Sequence, residues 1–278
     1  MIPELFHIGS FSVSPFGLML VAAFVGSYLQ LRWGLRHLGI GDDDDASSMV
    51  LAAGIGGIVG AKVYYVLLKG DWHLLFSRSG LVWYGGFLLA TGLVIWVIRR
   101  RGLPLWQTAD SVAPALALGY GIGRIGCFLV GDDYGRPTSL PWGVVFKHGV
   151  PKTTAQNLRY FFDYDLPAGV SGNDWVAVHP TQVYETLLAL LIWWVGLRLL
   201  RKASPGTTAM VVFGLLALER FGIEFLRAKD DRFFGGLTLA QLISLGVLVA
   251  VLFLARFRPR AAVAATAPGT SGGTGKRR

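Results

Sequence analysis

Residues 119–143, GYGIGRIGCFLVGDDYGRPTSLPWG, set an arginine, Arg124, inside an apolar helical run that ends in a glycine-rich, acid-bearing turn. A guanidinium at membrane depth costs roughly 2.5–3.5 kcal/mol on insertion scales, so it is seldom found there without a partner. The partner that fits a planar fork of five donors is a carboxylate or a phosphate. In a bilayer the abundant phosphate belongs to a lipid headgroup, so the first expectation is a protein that handles phospholipid.

The rest of the chain supports a membrane setting. Its 278 residues are 53% hydrophobic and 15% charged, with a mean hydropathy of +0.51. Soluble domains carry about 25% charged residues. Apolar runs of roughly 18 residues or more number about seven. They cover Phe16–Leu35, Ser48–Leu68, Leu81–Ile98, Ala109–Val130, Thr181–Leu200, Thr207–Leu226 and Leu237–Ala255. No strand periodicity competes with them. The expected fold is an all-α integral membrane protein of about seven transmembrane helices, with a cap inserted between the fourth and fifth.

Basic residues orient the spans. The first, third, fifth and seventh end in Arg32 and Arg36, Arg99–Arg101, Arg198 with Arg201 and Lys202, and Arg256, Arg258 and Arg260. This bias predicts that those ends are cytoplasmic, with the N-terminus outside and the C-terminus inside. The net charge of +9 is then a topogenic signal and not a nucleic-acid footprint, since no basic-aromatic patch accompanies it. The N-terminal stretch lacks the basic start of a cleavable signal, so the first span is expected to be retained.

The connections differ in character. Asp42–Asp45 read as a solvated loop before a helix start at Ser47 or Ser48. Segment 131–178 is long and aromatic (Tyr134, Trp142, Phe146, Tyr160, Phe161, Phe162, Tyr164, Trp175), which predicts a folded cap at headgroup level. Residues 1–260 form one membrane domain on this reading, and 261–278 a disordered cytoplasmic tail. The single cysteine, Cys127, excludes an internal disulfide or a thiolate metal cluster.

Three constellations carry charge into the apolar spans. Gly121–Gly126 match G-x-G-x-x-G, but the match lies within a span and lacks the β-α-β context of a dinucleotide site. Its glycines are expected to thin the helix beside Arg124. Arg220, Glu224 and Arg227 are spaced to share one helix face, as a ladder that joins helices or a clamp for lipid phosphate, while Glu219 points about 100° away. His179, Gln182 and Glu185 begin the fifth span at a spacing that predicts a hydrogen-bonded row, and Pro180 marks its first turn. Asp110 reads as the N-terminal charge of its own helix. Gly54, Gly56, Gly57, Gly60 and Ala61 predict close helix packing, with Lys62 next to them in need of water, lipid phosphate or an acid.

Together these segments resemble the bacterial prolipoprotein diacylglyceryl transferase family across nearly the whole chain. GRIGCFLVGDDYGRPTSLPWG is similar to its G-R-[IL]-G-N-F-x-N-G-E-x-[WY]-G-R signature, HPTQVYE to H-P-[ST]-Q-[LV]-Y-E, and ERFGIEFLR with GGLTLAQLISL to two further segments. The resemblance implies transfer of a diacylglyceryl group from phosphatidylglycerol to the lipobox cysteine of a prolipoprotein signal peptide. A thioether forms and glycerol phosphate leaves. It implies that Arg124 is the signature arginine that binds phosphatidylglycerol, that Arg220, Glu224 and Arg227 form the matching substrate-binding set of the sixth span, that Asp132 stands at the signature glutamate, and that Gly131 and Gly135 supply the turn. No cofactor or metal is implied.

Cys127 and Val130 replace two signature asparagines, Tyr84 replaces a histidine before Gly85-Gly86, Phe16 a tyrosine, and Lys62 an arginine. A tyrosine donates a hydrogen bond but is no base near neutral pH. These departures keep open a second reading, a family member that binds phospholipid but modifies another acceptor or none. On the transferase reading the substrate brings the thiol nucleophile, and guanidinium groups stabilise the departing phosphate. His179, Asp132 and a water relayed by Tyr84 stay open as the proton acceptor. A transporter is disfavoured because no inverted repeat is visible.

Overall fold

Apolar stretches bounded by capping residues form the helices of the computed structural model, which describes residues 6–8, 11–77, 80, 82–167, 169–228 and 232–257. A hairpin of β1 (Phe6–Ile8) and β2 (Phe11–Val13) precedes α1 (Pro15–Leu38), whose first turn is closed by Ser14 accepting from the Gly17 N–H. α2 (Asp43–Lys69) begins on a capping box in which Asp42 and Asp45 exchange side-chain-to-backbone hydrogen bonds. Asp43–Asp45 are therefore helical and not a loop before Ser47. Carboxylates in a first turn meet the positive end of the helix dipole, and these also take cations, Asp43 from Arg32 and Arg36 and Asp45 from Arg101.

A 3-10 turn (Trp72–Phe76) leads to α3 (Trp83–Arg100), α4 (Leu105–Val130), the short α5 (Ala155–Phe162), α6 (Thr181–Leu200) and α7 (Thr207–Ile223). A second hairpin, β3 (Arg232–Phe234) with β4 (Leu237–Thr238), precedes α8 (Leu239–Leu254). Apart from these two hairpins, which no periodic pattern announces, the regular structure among the described residues is helical. Four helices, α1, α2, α4 and α6, are long and apolar enough to cross a membrane. α3 closes on Arg99-Arg100, and α7 and α8 are shorter. The expected tail, 261–278, lies outside the described residues.

α4 is the central helix and packs against α1, α6 and α7, while α2 joins α1 to α3 and α8 lies on α7. The glycines of α2 make the α2–α3 contact. A Cβ on Gly56 would sit 2.7 Å from Ala90 Cα, and one on Gly60 would run into the Gly85 carbonyl. Lys62, beside them, donates to Ser77 O (2.7 Å) and Oγ (3.0 Å).

The two ends of the bundle differ. At one end the basic termini of α1 and α3 meet the acidic start of α2, and Arg201 after α6 lies 6.0 Å from the Trp33 ring of α1. The starts of α4 and α7 share this end. Buried Asp110, six residues into α4 and away from that helix's own cap at Pro104, accepts from the backbone N–H groups of Gly206 (2.6 Å) and Ala209 (2.7 Å). α7 has no side-chain cap of its own. Asp110 is thus the cap of α7, not an N-terminal charge of α4. At the opposite end lie the close of α4, the start of α6, the close of α7 and the start of α8, where Gln241 Nε2 donates to Phe221 O (3.5 Å).

Segment 131–178 has its own core. Tyr134, Phe146, Leu158 and Val178 bury together with Ala228. Val178 bridges to Pro137 and Val144, and Trp175 to Thr154. Tyr160, Phe161, Trp142 and Trp175 stay exposed, so the aromatic content divides between core and surface.

Asp110→Ala leaves two N–H donors without a partner in the interior, which costs about 2–3 kcal/mol. Thermal unfolding in detergent should show this loss, and Asp110→Asn, which keeps one acceptor, should recover part of it.

Candidate active site at the close of α4

Arg124 is 8% exposed on α4, and its guanidinium is almost fully engaged. Nε (2.6 Å) and Nη2 both donate to Glu185 Oε2 of α6, whose own exposure is 1%. Nη1 donates to Asp133 Oδ2 (3.0 Å) and lies 3.5 Å from Cys127 Sγ. The second Glu185 oxygen accepts from Tyr120 (2.9 Å), one turn earlier on α4. Small residues permit this approach. A Cβ on Gly121 would already lie 3.2 Å from Ala189 of α6, and one on Gly126 3.1 Å from Met19 of α1.

α4 stops at Gly131, whose φ of 80° closes the helix and suits a residue without a side chain. The loop that follows is held by the start of α6. Thr181 Oγ1 donates to Asp133 O (2.9 Å), and Gln182 Nε2 donates to Asp132 O. Gly135 sits where three segments converge. A Cβ there would be 2.7 Å from Thr181 Cγ2 and 2.8 Å from His179 Cβ. Its role is close approach, not the turn, and its N–H donates to His179 O (2.8 Å).

The end of α7 completes the cluster and corrects the expected ladder. The helix ends at Ile223, so Arg227 falls in the following turn and leaves the face it was expected to share with Arg220 and Glu224. Arg220 Nη1 and Glu224 Oε2 form an ion pair (2.6 Å), whereas Arg227 Nη2 turns to Asp133 Oδ1 (2.6 Å). The field of Arg220 also reaches Asp133. One carboxylate thus sits between Arg124 and Arg227, with Arg220 nearby.

The two neighbouring aspartates are driven apart electrostatically. Burial, and then the charge of Asp133, push the Asp132 carboxyl above the usual carboxylate range. Burial would raise Asp133 as well, but Arg227 and Arg124 outweigh it and hold it below that range. Burial lowers the His179 imidazole from its ordinary value. Oxygens of Asp132 and Asp133 and the Cys127 sulfur lie within 4.8 Å of one another, close enough for metal ligands. Two guanidiniums already hold Asp133, and their charge opposes a cation at that place.

The structure gathers Arg124, Asp132, Gly131, Gly135, Arg220, Glu224 and Arg227, with His179 at the margin. His179 Nδ1 lies 3.3 Å from the Tyr184 hydroxyl, while Gln182 and Glu185 turn to other partners, so the expected hydrogen-bonded row does not form. Tyr84 is on α3, which packs chiefly on α2, edge-on to the Trp83 ring. Among the described residues no hydrogen bond ties it to the cluster. Glu185, Tyr120, Asp133 and buried Glu219, beside Tyr120, are the cluster members without a site role in the sequence reading. Tyr120, one turn before Arg124 on the same helix, was the available signal.

Residues 3–256 match the family described as prolipoprotein diacylglyceryl transferase. A protein of Solidesulfovibrio magneticus named phosphatidylglycerol–prolipoprotein diacylglyceryl transferase is 32% identical, over 91% of this chain and 92% of its own. Proteins of the same name from Methylobacillus flagellatus and Acaryochloris marina are 29% and 32% identical, over 91% of this chain and 94% and 89% of theirs. With the match running from the first hairpin to the close of α8, this chain belongs to the prolipoprotein diacylglyceryl transferase family.

Proposed function

We propose that the chain transfers the diacylglyceryl group of phosphatidylglycerol to the lipobox cysteine of prolipoprotein signal peptides, the first step of lipoprotein maturation. The observation that carries this reading is the Arg124–Asp133–Arg227 arrangement, two guanidiniums converging on one anion position beside a helix that is apolar enough to cross a membrane. The names of the relatives favour it over modification of another acceptor.

The same reading takes α3, α7 and α8 as spans, for seven in all, with residues 131–178 as an extracytoplasmic cap. The basic ends of α1, α3 and α6 gather at the end of the bundle opposite the arginine cluster. Positive residues favour the cytoplasm. The cluster then faces outward from the bacterial cytoplasmic membrane, with the N-terminus outside and the C-terminus inside. Membrane lipid surrounds it, and secreted signal peptides arrive there.

In the transfer step the thiol sulfur attacks the glycerol carbon that carries the phosphate ester. The S–C bond forms as the C–O bond breaks, and the electron pair leaves with the phosphate oxygen. Arg124, Arg227 and Arg220, the last aligned by Glu224, stabilise the growing phosphate charge in a low-dielectric setting. Asp132 is the proton acceptor that geometry and electrostatics support best. It stands beside the anion position, and a carboxyl raised above its usual range is a stronger base. The proton passes from the thiol to Asp132 and on to the released glycerol phosphate. His179, and water relayed by Tyr84, are the less supported acceptors. Gly131 and Gly135 hold the loop that presents Asp132.

Arg124→Lys keeps a charge over Glu185 but loses the planar fork. It is expected to stay folded and to lose about 100-fold or more in transfer, read as the mass of a lipobox peptide incubated with phosphatidylglycerol and purified protein. Near-normal lipidation would remove Arg124 from the mechanism. The pH profile tests the base. Asp132 must be ionised to accept a proton, so the rate should fall as pH drops through a value above the ordinary carboxylate range. Asp132→Asn should lose this acid limb together with roughly 100-fold in rate. A limb that survives the substitution assigns the base elsewhere.

A further inference from the structure

Asp133 is a carboxylate for which the transfer step has no use, yet it holds the position where the lipid phosphate has to bind. Its oxygens divide between two cations, Oδ2 to Arg124 Nη1 (3.0 Å) and Oδ1 to Arg227 Nη2 (2.6 Å). The two non-bridging oxygens of a phosphodiester would divide in the same way. The arginine side chains are 10% and 13% exposed while that of Asp133 is 43% exposed, so the aspartate closes the pair from the open side.

Of the five N–H groups on Arg124, Nε and one on Nη2 are taken by Glu185, and Nη1 points at Asp133 and Cys127. The Glu185 contacts are buried inside the bundle, so a phosphate gains the outward face of Arg124 by replacing Asp133. The aspartate sits in the left-handed region (φ 56°), a conformation that Asp and Asn tolerate better than most residues, and Thr181 holds its carbonyl.

We propose that Asp133 is an internal anion that rests in the phosphate position between turnovers and is displaced by the phosphodiester of the lipid. This rests on the function proposed above and assigns a specificity residue to the same site. A tethered carboxylate competes at an effective concentration on the order of millimolar. Soluble anions such as inorganic phosphate or glycerol phosphate bring only their charge against it. A phospholipid also brings the interaction of its acyl chains, so it displaces Asp133 where the soluble anions do not. After cleavage the product has lost those chains, and the returning carboxylate expels it.

The test compares wild type with Asp133→Asn, which keeps the backbone conformation and removes the charge. About 10 mM inorganic phosphate or glycerol phosphate should raise the thermal midpoint of the Asn variant in detergent more than that of wild type, which needs roughly threefold to fivefold more anion for the same shift. Adding Arg227→Ala should abolish that response. In the transfer assay the variant's KM for phosphatidylglycerol should fall roughly threefold to fivefold, the scale of one partly exposed ion pair, and glycerol phosphate should become an inhibitor. If Asn unfolds the protein, Asp133→Gly, which also accepts the positive φ, replaces it. Equal phosphate responses in wild type and variant, or a raised KM, would overturn the proposal and leave Asp133 as a brace. Should wild type transfer no lipid while the variant still gains phosphate stabilisation, the proposed function fails and the internal anion stands.

Discussion

The buried contact between Arg124 and Glu185 organises one half of this molecule. Neither charge is tolerable alone in an apolar interior, where breaking such a pair costs about 3–5 kcal/mol. The pair therefore fixes how α4 and α6 face each other, helped by Gly121 against Ala189 and by Tyr120 on the second Glu185 oxygen. Once α6 is fixed, its first turn lies over the loop after Gly131, and Thr181 and Gln182 grip the carbonyls of Asp133 and Asp132. The geometry of the anion position is thus a consequence of one interior ion pair two helical turns away from the loop it serves.

The other end of the bundle solves the same problem differently. Asp110 is buried too, and it accepts from the N–H groups of Gly206 and Ala209 at the start of α7. Both carboxylates join α4 to a neighbouring helix, Asp110 to α7 and Glu185 to α6. α4 is pinned at both ends by polar contacts whose loss would strand a charged or polar group. The rotation and depth of the helix that carries Arg124 are thereby both constrained. The α2–α3 pair, held by glycine contacts, joins α1 and α4 through apolar packing of Met49, Val97 and Ile98 with Leu31, Leu35 and Ala115.

Hydropathy made the four long apolar helices legible, because a helix that meets lipid must be apolar over its length. It did not reveal where helices stop, since that depends on caps. Asp42 with Asp45 starts α2 earlier than the apolar run, and α7 ends at Ile223 before the apolar run does. That early end undid the expected ladder, because helical spacing says nothing about a residue one turn past the last helical one. Arg124 was legible because a lone charge in an apolar run demands a partner. Glu185 was visible in its motif, but its partner was not, since the rotation of α6 about its axis is a tertiary property. The same ignorance hid Asp133, whose importance lies in two contacts to distant segments. It also left Tyr84 as a candidate, although α3 packs chiefly on α2.

The turn GDDYG places two identical side chains in opposite electrostatic environments. Tyr134 anchors the turn by burying its ring on Phe146 inside the core of 131–178. Gly131 lets the chain pass against Gly149 and Phe146, and Gly135 lets it pass against Thr181, His179 and the Leu226 carbonyl, without a Cβ in the way. What separates Asp132 from Asp133 is then only which side of this pinned turn each faces. Asp133 faces two guanidiniums and stays ionised, while Asp132 faces the buried thiol of Cys127 and feels its neighbour's charge. Each depends on the other, because the negative charge that Arg227 and Arg124 secure on Asp133 helps to raise Asp132. Displacement of Asp133 by a phosphodiester would exchange one negative charge for another beside Asp132. The basicity of Asp132 would therefore be kept when the lipid is bound, at the moment when a proton acceptor is needed.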